Sequence, residues 1–418
     1  MTRQYQIAKE TVKEAWGEVK ENKGAAGIDG QTVEDFEADL ENNLYKIWNR
    51  MTSGSYFPPA VKEVEIPKNS GGNRKLGIPT VADRVAQGVA KKYLEPEMEL
   101  QFHEDSYGYR PNKSQHQALE RTRERCRRND WVIEIDIKGY FDNISHEILM
   151  GLLQEHTKEK WILLYVRRWL MAGTQTQEGT IKPKEKGTPQ GSVISPLLSN
   201  IYLHHAFDMW MKDRYPYIPF ERFADDIIVH CKSLKQAEYI RKQISERMKE
   251  WQLELHKEKT RIVYCKDSNR PGNHEHIMFT FLGYTFKPRR ARNGKTGKIF
   301  TSFQPAISQE AKMEIYKEIQ KWKLAKRTQR TLESISEEIN VQIRGWFNYF
   351  DKFYASALNQ LRTHIDYRLI HWAIRKYKSL GKSKQRGRTW LTGVMSRQPK
   401  LFAHWNQPTS SSWVTRAV

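Results

Sequence analysis

The segment PFERFADDIIVHC limits what this chain can become more than any other stretch. Two short apolar β runs are pinched around Ala224-Asp225-Asp226, so a pair of carboxylates sits at a tight turn between strands that must be buried. A second run, Trp131 to Ile137, puts Ile133, Ile135 and Ile137 on one face and Glu134 and Asp136 on the other. Taken singly, an Asp-Asp pair at a turn is usually a solvated turn held by its own backbone. A lone Asp at a strand end is usually a cap or turn residue. Together they are harder to explain that way. Unpaired carboxylates held side by side raise one another's pKa unless a cation neutralises them. Their convergence in a cleft therefore suits a hard divalent ion.

Around these runs the periodicity alternates between helix and strand. The first 56 residues read as two helices about the turn GAAGIDG (Gly24 to Gly30). Thr32 with Asp35 resembles a capping box, and Val33, Phe36, Leu40, Leu44 and Ile47 keep helical spacing. VKEVEIPKNSGGNRKLGIP reads as a hairpin with Gly71-Gly72 at its tip, followed by a helix from about Thr80 to Leu94. GTPQGSVISP is a loop feeding a helix from about Leu197, and FTFLGYTF opens another hairpin. From about Ala306 the period is helical only, with Leu332, Ile335, Ile339, Ile343, Trp346 and Phe350 on one face. A domain boundary is expected near residue 305 and a basic tail after about 378.

Charge narrows the partner. With 70 Lys+Arg against 49 Asp+Glu the chain carries a formal +21, which a compact protein tolerates best beside a polyanion. The excess is clustered. No acid occurs from His276 to Gln309, where Lys287, Arg289, Arg290, Arg292, Lys295 and Lys298 crowd one hairpin. None occurs after Asp366 either, where Trp372, Trp390, Trp405 and Trp413 lie among the cations, a mixture that suits stacked bases and phosphates. Cys126, Cys231 and Cys265 are far apart, which excludes an ordinary zinc ribbon or disulfide framework and fits a reducing cytoplasm, that of a bacterium. No apolar run is long enough to span a membrane.

WVIEIDIKGYFDNI, GTPQGSVISPLL, RFADD, LELHKEKT and FLGYTF occur in that order. They resemble motifs A to E of the palm of reverse transcriptases. EIPKNSGGNRKLGIPTVADR and SYGYRPNKSQHQAL look like fingers motifs of the group II intron branch, and IRGWFNYF looks like its maturase, or thumb, domain. The resemblance covers about residues 10 to 375. It implies an α+β right-hand polymerase: an N-terminal helical extension (1–56), fingers and palm (57–305) with an antiparallel sheet, a helical thumb and maturase domain (306–378) and a basic nucleic-acid-binding tail (379–418).

The same resemblance assigns roles. Asp136, Asp225 and Asp226 would hold two Mg²⁺ ions, with Mn²⁺ able to substitute. Phe223 stands where the family's motif C usually has tyrosine, a change that spares the carboxylates. Phe141 would lie under the incoming sugar and exclude a 2′-hydroxyl, Tyr140 being the neighbour it is most easily confused with. Gln190 would touch template and nucleotide near the sugar. Lys68 and Arg74 would reach the triphosphate, Lys259 would protonate the departing pyrophosphate, and Arg110 would meet the template backbone. The implied partners are group II intron RNA or another RNA template, a DNA primer or target, and deoxynucleoside triphosphates. Alternatives are a splicing maturase whose polymerase is incidental, or a retron or CRISPR-associated relative. With no cysteine beyond Cys265, the paired-cysteine nuclease domain of many relatives is not expected.

Overall fold

Side-chain caps set where the helices begin. In the computed structural model, which describes residues 4–67 and 72–405, Thr32 and Asp35 form the expected capping box, their reciprocal bonds measuring 3.1 and 3.0 Å. The N-terminal region holds three helices rather than two: Lys9–Asn22, Val33–Ala38 and Leu40–Thr52. Asp39 leaves helical geometry (φ −126°, ψ 47°) and splits the predicted second helix. Thr80 caps Val81–Glu99 through the amide of Asp83, and Val81, Val85, Val89 and Leu94 are fully buried along it.

The chain forms two compact units. The first runs to Arg125 and resumes over Trp131–Ile262; the second holds Cys126–Asp130 and the chain from Val263 onward. Residue 305, where the sequence suggests a boundary, falls inside a strand of the second unit, Ile299–Ile307.

In the first unit, β1 (Val61–Pro67), β2 (Asn73–Ile78), β4 (Thr174–Gln175) and β5 (Ile181–Lys182) form a sheet ordered β2-β1-β4-β5. A second sheet, ordered β6-β7-β3-β8, contains β3 (Trp131–Ile135), β6 (Phe220–Phe223), β7 (Asp226–Cys231) and β8 (Arg261–Tyr264), with the unit boundary inside β8. Helix Leu234–Glu250 packs Ala237, Ile240, Ile244 and Met248 onto β3 and β7. Burying each such aliphatic side chain contributes roughly 1.5–3 kcal/mol.

β6 is unusual because Glu221 and Arg222 are both fully buried, on opposite faces. Glu221 takes a hydrogen bond from Arg125 Nη1 at 2.7 Å, and His230 Nε2 lies 2.6 Å from its other oxygen. Every N–H of Arg222 is used. Asp208 receives two at 2.7 and 2.5 Å, Asn200 one at 2.9 Å, Ser106 Oγ one at 2.8 Å and the Ala224 carbonyl one at 3.1 Å. Asp208 reaches this position through a π-helical turn, His204–Asp208, between helices Ser195–Leu203 and Met209–Arg214. Burial alone would push the Asp208 carboxyl up; the charge and hydrogen bonds of Arg222 outweigh it and hold it below the ordinary value.

The second unit opens with a meander of β9 (Phe279–Phe281), β10 (Tyr284–Arg292) and β11 (Ile299–Ile307). Helices Gln309–Lys321, Leu332–Phe350, Asn359–Lys376 and Lys384–Arg397 follow. Leu332, Ile335, Ile339, Ile343, Phe347 and Phe350 are buried along one face of the second helix. Trp346, expected on that face, is half-buried and stacks on Trp322 at 5.8 Å. The basic stretch differs from expectation. Its first part folds as helix Lys384–Arg397 against Asn359–Lys376. Trp372 and Trp405 are buried, Trp405 donating to Asp366 at 2.9 Å, and Trp390 packs beside Trp372 and Tyr377. Trp372 continues the helical row Leu361, Ile365, Leu369, so it builds core instead of a platform for bases. Trp413 lies outside the described residues. No described helix is long and apolar enough to cross a membrane.

Removing Asp208 strands the Arg222 charge in the core, a defect costing about 3–5 kcal/mol. Asp208→Ala should therefore lower the urea midpoint of the first unit steeply. Glu246→Gln, at the exposed Lys242–Glu246 pair, should change stability by less than about 0.5 kcal/mol. Equal shifts in parallel unfolding curves would show that the buried pair holds nothing together.

Candidate active site

The register of the second sheet brings the carboxylates together. β3 and β7 pair from Trp131↔Cys231 to Ile135↔Ile227, so one step further Asp136 stands opposite Asp226. β6 and β7 close with Phe223↔Asp226, leaving Ala224 and Asp225 as a two-residue turn. Ala224 has a left-handed φ of 56°, which costs an L-residue about 1–2 kcal/mol. Two contacts hold it there. Arg222 binds its carbonyl from below, and Gly108 presses so closely that a Cβ would lie 2.4 Å from the Ala224 nitrogen. Asn200 fixes Gly108 in turn, donating to its carbonyl at 2.7 Å.

The GTPQG loop lies against β2 and the helix after β3. Gly187 has φ 82°, and a Cβ there would meet the Phe141 and Asp142 carbonyls at 2.8 Å. Thr188 N donates to the Phe141 carbonyl at 2.8 Å, and Gly77 N donates to the Gln190 carbonyl at 2.8 Å. Arg74 Nε donates to the Gln190 side chain, so those two predicted residues meet. Phe141 and Tyr140 are both buried, but the Tyr140 hydroxyl is committed to the Ser199 carbonyl at 2.7 Å. Lys259 Nζ sits 3.3 Å from Asp136 Oδ2. Lys68 lies outside the described residues.

Arg110 is not available to a template. Its side chain is 5% exposed, and it binds Glu99 and the carbonyls of His103 and Ser106 while stacking over Phe102. Four of its five N–H groups are spent on internal acceptors.

Residues 66–286, more than half of the chain, match the reverse transcriptase (RNA-dependent DNA polymerase) family. The chain belongs to the reverse transcriptases. Residues 312–390 match the group II intron maturase-specific domain. The enzyme is 29% identical over 434 residues to the group II intron-encoded protein LtrA of Lactococcus lactis subsp. cremoris, covering 83% of this chain and 69% of that one. It is 30% identical over 320 residues to Protein YkfC of Escherichia coli (strain K12), covering 67% and 81%. A solved telomerase from Candida albicans, in complex with a fragment of telomeric RNA, aligns with TM-score 0.46 at 12% identity over 89% of this chain and 67% of that one. This is a group II intron-type RNA-directed DNA polymerase with a maturase domain, and reverse transcriptases depend on divalent metal.

The electrostatics of this reverse transcriptase follow from crowding. Burial raises the Asp225 carboxyl, Asp136 adds to it, and Arg74 and Arg222 offset only part. Asp226 is exposed, at the first position of β7. Burial, then Asp225, Asp136 and Glu134, push it up to about 7, with Lys259 pulling the other way. Among the described residues no three His, Cys, Asp or Glu side chains lie close enough to hold a metal ion as placed. The chemistry of the set nevertheless fits one: three carboxylates supply hard oxygen donors, and the raised carboxyls of Asp225 and Asp226 are relieved by a dication.

Sequence reasoning missed the supports. Arg222 is visible only as a cation two residues after Phe220, on the same face of a short strand, and nothing in one sequence marks Asp208 as its partner. Gln87 was missed as well. Its side-chain oxygen accepts from Val193 N at 2.9 Å, and its amide donates at 2.9 Å to Asp83, which Tyr56 and Trp169 also bind.

A carboxyl raised in the folded state binds protons that the unfolded chain has released. Its favourable contribution is complete below the unfolded value and is lost as pH rises through about 7. In chelator, wild-type stability should therefore fall between pH 5 and 8 by more than that of Asp226→Asn. Superimposable profiles of unfolding midpoint against pH for the two proteins would refute the raised carboxyl.

Proposed function

We propose that the enzyme copies RNA into DNA by two-metal nucleotidyl transfer, extending a DNA primer with deoxynucleoside triphosphates. Asp136, Asp225 and Asp226 would hold two Mg²⁺ ions, for which Mn²⁺ could substitute. The observation that carries this reading is the register that sets Asp136 opposite Asp226 beside the Ala224-Asp225 turn. Bound there, the ions would lower the pKa of the primer 3′-hydroxyl and neutralise charge on the triphosphate. The chain's own groups do the rest. Arg74 and Lys68 would clamp phosphate oxygens, and Gln190, already held by Arg74, would contact template and nucleotide near the sugar. Lys259 stands near the reacting centre through Asp136 and would hand a proton to the leaving pyrophosphate. Phe141, whose neighbour Tyr140 is tied to the core, would close the space beneath the sugar.

By this reading residues 57–305 act as fingers and palm, 306–378 as thumb and maturase domain, and 379–418 as a nucleic-acid-binding extension, with 1–56 as an N-terminal helical extension. The maturase-specific match favours intron RNA as the native partner over a retron or CRISPR-associated role. Three separated cysteines fit work in a reducing bacterial cytoplasm.

Asp225→Asn should reduce DNA synthesis on a primed RNA template in Mg²⁺ by roughly a hundredfold or more, with RNA affinity unchanged. Primer extension within tenfold of wild type would falsify the ligand assignment. Phe141→Ala should raise ribonucleotide over deoxynucleotide incorporation in single-turnover assays. An unchanged ratio moves the gate elsewhere, with Tyr140 the next candidate.

A further inference from the structure

The end of helix Asn359–Lys376 and the start of helix Lys384–Arg397 enclose a cavity that the polymerase reading does not use. The reversal between them is tight: a 3₁₀ turn Lys378–Leu380, then Gly381 and Lys382 at φ 54° and 59°, then Ser383 capping the Arg386 amide. The chain folds back around a space of about 770 Å³ lined by His371, Arg375, Lys378, Lys382 and Lys384.

Among the described residues, Arg375, Lys378, Lys382 and Lys384 have no carboxylate partner. The nearest acid upstream in sequence, Asp366, is taken by His404 and the Trp405 indole. His371 Nε2 is buried with no hydrogen-bond partner. Its ring lies against that of Tyr367 at 4.3 Å, and Lys384 Nζ sits 5.8 Å from the centre of the Tyr367 ring. Gathering like charges in a concave space is unfavourable until an anion enters. The positive end of the 14-residue helix Lys384–Arg397 adds to that field.

The shape selects among anions. A stripe of cations on a convex face suits the regular phosphates of a duplex, whereas a basket suits phosphates that project inward, as where a strand turns sharply. We propose that this pocket is a phosphate-binding site that seats the backbone of a folded RNA at an internal bulge, with the His371 ring in its wall. The proposal rests on the reading of this enzyme as an intron-RNA binder and deepens it.

It has a pH signature. Burial, then Lys384, Arg368 and Arg375, lower the His371 pKa, and Tyr367 is the other titratable group against the ring. A bound phosphate reverses the sign of that field, so the complex takes up a proton that the free protein does not hold. Affinity should strengthen as pH falls from 8 to 6, by up to about tenfold per unit.

The test uses the full chain, a bulged hairpin RNA, the matching fully paired hairpin, and inorganic pyrophosphate as a free anion. Paired Lys382→Ala and Lys384→Ala substitutions, at exposed side chains, should weaken binding of the bulged hairpin about tenfold and flatten its salt dependence. The paired hairpin should lose much less. His371→Gln should keep the affinity at pH 8 and abolish the gain at pH 6. Equal losses on both hairpins, or none, overturn the proposal. So does pyrophosphate raising the wild-type melting temperature, but not that of the double variant, without any difference in RNA binding, since that marks a free-anion site. If wild-type protein binds neither hairpin, the RNA-binding reading itself has failed.

Discussion

A single guanidinium carries the geometry of the Ala224-Asp225 turn. Arg222 lies in the core beneath Ala224, its charge met by Asp208 and its remaining donors taken by Asn200, Ser106 and the turn's own carbonyl. A buried ion pair adds little net stability compared with an apolar filling of the same volume. What it contributes here is position. Five hydrogen bonds of fixed direction hold the guanidinium, one of them leaves the Ala224 carbonyl one place to be, and that positions the two carboxylates that follow it. Ala224 can then stay in a backbone region it would otherwise avoid. Asn200 and Ser106 extend the arrangement to the Gly108 segment, so a strand, a helix and a loop distant in sequence share one polar knot.

How much of this was legible depended on whether the deciding contact was local. Thr32 and Asp35 are three residues apart, and their capping box could be read directly. Ile133, Ile135 and Ile137 alternate, and the strand they announced is there, though β3 stops at Ile135, with Asp136 one residue past its end. The row from Leu332 to Phe350 repeats at helical spacing and is buried as expected, apart from the half-buried Trp346. Asp39, by contrast, breaks a helix within an unbroken apolar pattern, through backbone angles that periodicity does not report. Arg110 looked like a cation on a motif, and only the fold brings Glu99 and two carbonyls to it.

The tryptophans after residue 366 teach the same lesson in reverse. Aromatics scattered among lysines and arginines have the composition of a nucleic-acid surface. Composition cannot say which way a ring points. Trp372 and Trp405 face inward and leave the cations outside, so the basic stretch is a folded element whose core is aromatic and whose rim is charged. The candidate site at Lys259 shows the opposite outcome: a lysine among lysines turned out to be the one in contact with Asp136.

The closure of β6 and β7 also sets a limit on inheritance. Surface turns are where proteins ordinarily gain and lose residues without harm. This one cannot. One residue added between Phe223 and Asp226 would displace Asp225 and carry the Ala224 carbonyl away from Arg222. A lineage can therefore exchange the side chain before the turn, as the phenylalanine at 223 illustrates, but it has no freedom to change the turn's length.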